Sequence, residues 1–147
     1  MKIYIGADHA GYDLKEKLKS YLIHELGHEV VDFGANELNE EDDYPDFIRP
    51  VAEAVAGDRA SFGIVLVGSG QGEAIVANRV LGVRAVVYYG YSREIIKLSR
   101  EHNNANILSL GARFLSEGEA RETVKLWLET DFSGEDRHIR RIKKIDV

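Results

Sequence analysis

The stretch GIVLVGSGQGEAIVANR, Gly63 to Arg79, carries the pattern on which the fold turns. It opens as an apolar, β-branched run suited to a buried strand. It then passes three glycines in five positions (Gly68, Gly70 and Gly72) and enters a helix with Glu73 in its first turn. Strand, glycine-rich turn and helix form the repeating unit of a parallel sheet covered on both faces. Working outward, the same alternation fills the chain. KIYIG (Lys2–Gly6) reads as strand one. Leu14, Leu18, Tyr21, Leu22 and Leu26 mark one face of a helix that ends near Gly27. HEVVDFG (28–34) is expected as strand two, and a helix across 47–56 follows the acidic loop 36–46. FGIVLVG (62–68) is strand three, with a helix to about Val80. RAVVYY (84–89) is strand four, with a helix over 92–100. ANILSLG (105–111) is strand five, with a helix over 117–129, and a basic tail DRHIRRIKKI closes the chain. The predicted class is α/β, a three-layer α/β/α sandwich around a five-stranded parallel sheet.

Length and composition fit that class. The chain has 147 residues, 44% hydrophobic and 30% charged, enough for one domain with a core. A single domain over 1–147 is expected, with a helical tail at 136–147. No apolar run approaches the ~20 residues of a membrane span. The N-terminus enters a strand at once, without a signal-peptide pattern, and a cytoplasmic location is expected. The absence of cysteine excludes disulfides, thiolate zinc sites and a cysteine nucleophile. A net charge of −6 argues against a general nucleic-acid binder. The five histidines show no metal-site spacing, so no metal and no cofactor are expected.

In a parallel sheet, ligands sit beyond the carboxyl ends of the strands. GSGQGE follows strand three, yet it is neither a dinucleotide fingerprint nor a Walker loop. Its backbone N–H groups can converge on an anion or a developing oxyanion, or the glycines can simply serve a turn with positive φ. Glu73 bears on that choice. A carboxylate in a first turn is favoured by the helix dipole, and capping alone would explain it. A fixed carboxylate would, however, repel a phosphate held in the same loop. It suits a substrate oxygen that gains negative charge as Glu73 removes a proton beside a carbonyl. Val67, Ile75 and Val76 are candidates for an apolar pocket that would raise the Glu73 pKa against the dipole.

Six motifs in order resemble the ribose-5-phosphate isomerase B family, which includes related hexose-phosphate isomerases. They are ADHAG near the start, DYPD after strand two, GSGQGEAIVANR after strand three, REHNNANIL before strand five, GAR after it, and RHIRRI in the tail. The resemblance spans almost the whole chain. It implies strand order 2-1-3-5-4 and metal-independent aldose–ketose isomerisation of a sugar phosphate. It also implies a homodimer, or a dimer of dimers, with the active site at the subunit interface. Many members carry a catalytic cysteine where this chain has Val67. A second branch lacks it and uses a glutamate at the loop's end, which Glu73 matches.

The resemblance also implies roles residue by residue. Glu73 is the base, and backbone amides across Gly70, Gln71, Gly72 and Ala74, beyond Gly68, hold the enediolate. Ser69 contacts the sugar near C1 and C2. Asp8, which alone would read as a helix N-cap, binds sugar hydroxyls and assists ring opening, with His9 near the phosphate. His102 acts in ring opening from the neighbouring subunit, and Asn103 binds a hydroxyl. Arg113, Arg137 and Arg141 are the candidate phosphate ligands, although a solvated basic helix would also explain the last two. The last two are four apart on one helix face, with guanidinium forks suited to phosphate oxygens. Tyr44 lies near the sugar or anchors its loop. The acidic run Glu40–Asp43 reads as solvated. Ile139, Ile142 and Ile145 suggest that the tail packs against something, a partner chain included.

Two other functions remain open from sequence. One is the same reaction on a tetrose or hexose phosphate, because Tyr88, Tyr89 and Tyr91 stand where the family has small residues. The other is a non-catalytic sugar-phosphate-binding module that lost catalysis with the cysteine.

Overall fold

The computed structural model describes all 147 residues, Met1–Val147. Eleven elements alternate along the chain: β1 (Lys2–Ala7), α1 (Tyr12–His24), β2 (Glu29–Asp32), α2 (Pro45–Gly57), β3 (Phe62–Val67), α3 (Gln71–Ala77), β4 (Ala85–Tyr88), α4 (Arg93–Asn103), β5 (Ile107–Gly111), α5 (Glu117–Glu129) and α6 (Asp136–Ile145). All strand pairs are parallel, and the order is β2-β1-β3-β5-β4, as the resemblance implied.

Side chains on the inner strands alternate between two cores, as a period of two requires. On β1, Ile3, Ile5 and Ala7 face a cluster with Leu18 and Leu22 of α1, Ile96 of α4, and Val124 and Trp127 of α5. Tyr4 faces the opposite cluster, with Ile48, Val51 and Val55 of α2 and Ala77 of α3. Helices α1, α4 and α5 therefore cover one face, and α2 and α3 the other. Fully burying a large apolar side chain of this kind contributes about 1.5–3 kcal/mol. Helix α2 lies close to the sheet because Gly6 offers no side chain: a Cβ there would sit 2.8 Å from the Phe47 carbonyl oxygen. Helix α5 starts on a capping box in which the Ser116 hydroxyl accepts from the Glu119 N–H at 3.1 Å and the Ser116 N–H donates to Glu119 at 2.8 Å.

Register sets the site. Ala7 pairs with Leu66, Leu66 with Leu110, and Val67 with Gly111. The chain therefore leaves β1, β3 and β5 side by side, so Asp8, Gly68 and Ala112 emerge in a row. Chain order reverses between β1 and β3, the switch point where open α/β sheets leave a crevice.

Several boundaries differ from the sequence expectation. Helix α3 stops at Ala77 rather than Val80 because Asn78 turns to pair with the start of β4. Its amide donates to the Ala85 carbonyl at 3.0 Å and accepts from the Ala85 N–H at 2.8 Å. Helix α4 continues past Arg100 to Asn103 and ends on Asn104, which takes the left-handed conformation at φ 46°. Buried Arg100 anchors that end. Its guanidinium donates to the carbonyls of Thr130 and Ala105 and to the Asn104 side chain, and it stacks over Phe62 and Trp127. Strand β2 is four residues long, shorter than the apolar run.

Candidate active site

Glu73 enters on the first turn of α3 and its side chain is fully buried. Neither carboxylate oxygen meets a hydrogen-bond donor. Burial, the largest cause, pushes the carboxyl up to about 7; the nearby Asp8 carboxylate adds to the rise, and neighbouring backbone amides oppose it. Desolvation thus outweighs the helix dipole. Of the three apolar candidates for its surroundings, Val67 and Val76 are partly buried, whereas Ile75 is exposed and points away.

The glycine loop is shaped by close packing. Gly70 sits at φ 82°, where other residues are strained, and a Cβ there would lie 2.9 Å from a Val87 methyl. Its carbonyl accepts from the buried Ser109 hydroxyl at 2.7 Å. Because the peptide is planar and trans, the Gln71 N–H of the same unit points away from Ser109. Gly72 lies under Tyr44, and a Cβ there would sit 2.8 Å from the phenol oxygen. Ser69 and Gln71 are exposed at the mouth of the loop, and Ala74 is buried behind it.

Asp8 is buried just past β1, but it does not cap α1. Its Oδ1 accepts from the N–H groups of Ala10 and Gly11, at 2.9 and 3.3 Å, in a turn before the helix. Burial raises its pKa, opposed by those same N–H groups. Arg113 follows β5, and its guanidinium lies across Gly68, 3.2 Å from where a Cβ would stand. Asp8, His9, Gly68, Ser69 and Arg113, with Phe114, line a cleft of about 310 Å³ at the β1/β3 switch point.

Asp42 corrects the reading of the acidic run. Glu40, Glu41 and Asp43 are exposed, but the Asp42 side chain is only 7% exposed, and its Oδ1 lies 2.6 Å from His9 Nδ1. Asp8, His9 and Asp42 bring three potential ligand atoms within 4.8 Å. The His9 nitrogen is already committed to Asp42, so the arrangement reads as an ion-paired group.

The other expected site residues stand elsewhere. The Asn103 carbonyl accepts from Arg84 Nε at 3.0 Å, beside the amino end of β4. The His102 ring lies 4.3 Å from that of His138 on α6. His138, which sequence reasoning passed over, is buried and bonded to Ser133 at 2.8 Å. Burial, His102 and the α6 arginines lower its pKa. Arg137 and Arg141 are exposed on α6, which joins the body through an Arg84–Asp146 ion pair at 2.6 Å. These residues lie at the amino ends of the strands. The five residues of β5 alone place about 15 Å between the two ends. A groove of about 680 Å³ at that far end, between 78–86 and the last residues of the chain, contains neither Glu73 nor Asp8.

The arrangement within one chain is thus a buried carboxylate of raised pKa, a glycine loop beside it, and a cleft with His9 and Arg113 at its rim. These residue types suit removal of a proton next to a polarised carbonyl and binding of an anionic group, although Glu73 itself is fully buried and is not among the residues that line the cleft. Comparison with known proteins points the same way. A family model described as Ribose/Galactose Isomerase matches residues 3–145. Ribose-5-phosphate isomerase B of Mycobacterium tuberculosis is 43% identical over 142 residues, covering 97% of this chain and 86% of the relative. A ribose 5-phosphate isomerase structure from Thermotoga maritima superposes with a TM-score of 0.90 at 44% identity, covering 99% and 97% of the two chains. Ribose-5-phosphate isomerase B of Mycoplasma genitalium with bound ribulose 5-phosphate superposes at 0.92, with 39% identity and 98% and 93% coverage.

Proposed function

The chain belongs to the ribose/galactose isomerase family, and on that premise we propose that it interconverts ribose 5-phosphate and ribulose 5-phosphate through an enediolate, with Glu73 as the base. The observation that carries the mechanism is the Glu73 carboxylate: buried, unpartnered and poised near neutrality beside a glycine loop. A base whose pKa lies near working pH combines a useful ionised fraction with useful basicity.

The steps balance as a proton transfer. Asp8 and His102 open the sugar ring. Glu73 takes the proton from C2 of the open-chain aldose, and the C1 carbonyl oxygen becomes the enediolate oxygen held by amides of Gly70–Ala74. Ser69 stands by O1 and O2. Glu73 returns the proton to C1 while the C2 hydroxyl gives up its proton and O1 gains one, so that C2 becomes the carbonyl and the ketose forms. Tyr44 and Asn103 contact the sugar. Arg113, His9, Arg137 and Arg141 bind the phosphate. Within one chain Arg137, Arg141, His102 and Asn103 are at the wrong end of the sheet, which supports a site completed by a second copy in a homodimer. Exposed Ile139 and Ile145 on α6 fit the same reading.

The chain length of the sugar is the point on which a second reading stands. Tyr89 meets Phe114 edge-on at 6.2 Å, and Phe114 lines the cleft. Tyr88 is buried in the core and cannot shape the pocket, and Tyr91 is fully exposed. The test is isomerase activity on tetrose, pentose and hexose phosphates, with and without EDTA. Preference for ribose 5-phosphate, unaffected by EDTA, is expected. Preference for another length sinks the ribose assignment, and metal dependence sinks the mechanism.

A further inference from the structure

We propose that Asp42 is a positioning residue for His9, fixing the orientation of its ring and holding its proton, so that the Asp42–His9 pair forms one wall of the phosphate end of the cleft. The inference rests on the reading of that cleft given above. It begins from a contact between distant parts of the chain. The loop from β2 to α2 folds back over the turn after β1, and Asp42 grips His9 twice. Its Oδ1 accepts from the His9 backbone N–H at 3.2 Å and lies 2.6 Å from ring Nδ1. A turn holds the carboxylate there: the Asp42 N–H donates to the Asn39 carbonyl at 3.2 Å, and Asn39 Oδ1 accepts from the Glu41 N–H at 3.1 Å.

The partnering is one-sided. Asp42 Oδ2 is buried and meets no donor, and only 7% of the side chain is exposed. A carboxylate so removed from water needs a strong donor at its other oxygen. His9 is the only side chain that meets it. With Nδ1 given to Asp42, Nε2 is the nitrogen left for a ligand, and in the imidazolium form it carries a proton to donate. The charged groups facing His9 are Asp42 from the β2–α2 loop, Asp8 at 3.8 Å from the end of β1, and Arg113 from the turn after β5. The hydrogen bond to Asp42, the largest cause, raises the His9 pKa; partial removal from water opposes it, Asp8 raises it further and Arg113 lowers it. The pairing with Asp42 favours the imidazolium form beside Arg113, which suits the mostly dianionic sugar phosphate of neutral pH. A neutral imidazole offering a bare nitrogen lone pair would repel the same group.

The test has two independent readouts. The first is NMR titration of His9 in the ligand-free protein, assigned with His9→Gln, in wild type and Asp42→Asn. The His9 midpoint is expected to fall in Asp42→Asn, and addition of inorganic phosphate is expected to raise it less than in wild type. The second is the pH dependence of KM for ribose 5-phosphate. Loss of one charge-assisted contact should raise KM about ten-fold at pH 7.5, with kcat within about two-fold. Asp42→Glu should recover part of the loss, and adding Asp42→Asn to His9→Gln should raise KM no further. An unchanged His9 midpoint in folded Asp42→Asn overturns the proposal, as does a ten-fold loss confined to kcat. Because the titration needs no turnover, failure of the isomerase assignment would appear only in the second readout.

Discussion

Glu73→Gln is expected to lower kcat for ribose 5-phosphate by about 10³–10⁴-fold, with little change in KM. The amide is nearly isosteric and keeps the packing of a fully buried side chain, so the lost property is basicity. In wild type, kcat/KM should rise with pH through about 7, where the buried carboxyl ionises. That rising limb should disappear in the variant. Exchange of the C2 proton with deuterated solvent isolates the same step. Wild-type exchange that survives at full rate in Glu73→Gln would remove Glu73 from the reaction.

A second large effect follows from the separation of the two residue groups. Glu73→Gln damages the site at the carboxyl ends of the strands, and Arg137→Ala/Arg141→Ala damages the group on α6. In the proposed shared site, each variant alone is inactive. Random mixing makes half of the dimers heterodimers, and in a two-fold arrangement each heterodimer carries one intact site and one doubly damaged site, so about a quarter of wild-type activity should return. Activity after unfolding and refolding the two together, against each refolded alone, checks it. No recovery in mixtures shown by mass to contain heterodimers would mean that α6 serves the cleft of its own chain.

The alternating pattern made the architecture legible because nearly every strand is a continuous apolar run followed by a helix of clear period. Strand order was not legible from the pattern, since periodicity says which face is buried and nothing about which strand lies beside which; it came through the family resemblance. Element ends were misread where side chains compete with the helix. Asn78 reads as an ordinary helical residue until its amide is seen paired with Ala85. Glu73 was legible as a candidate base because its place after a glycine turn already set the dipole against the apolar run before it. Asp42 was not, since one acidic residue among four looks solvated until the loop is folded over His9. His138 sits in a basic tail with the charges of a solvated helix, and its burial against Ser133 and His102 leaves no periodic trace.

The unpartnered burial of Glu73 also has a thermodynamic side. An unfolded chain releases that proton near the ordinary carboxylate value of 4.5, whereas the folded chain keeps it until about 7. Between those values the folded form binds the extra proton, so its advantage over the unfolded form shrinks as pH rises. The loss levels off above about 7 at roughly 3 kcal/mol, a sizeable part of a typical domain's stability. Glu73→Gln, which has no proton to lose, should therefore melt higher than wild type at pH 8 and close to it at pH 4.5. Melting curves that keep a constant gap across that range would contradict this. Ionised Glu73 is thus a standing load on the fold, heaviest at the pH where the base is most fully available.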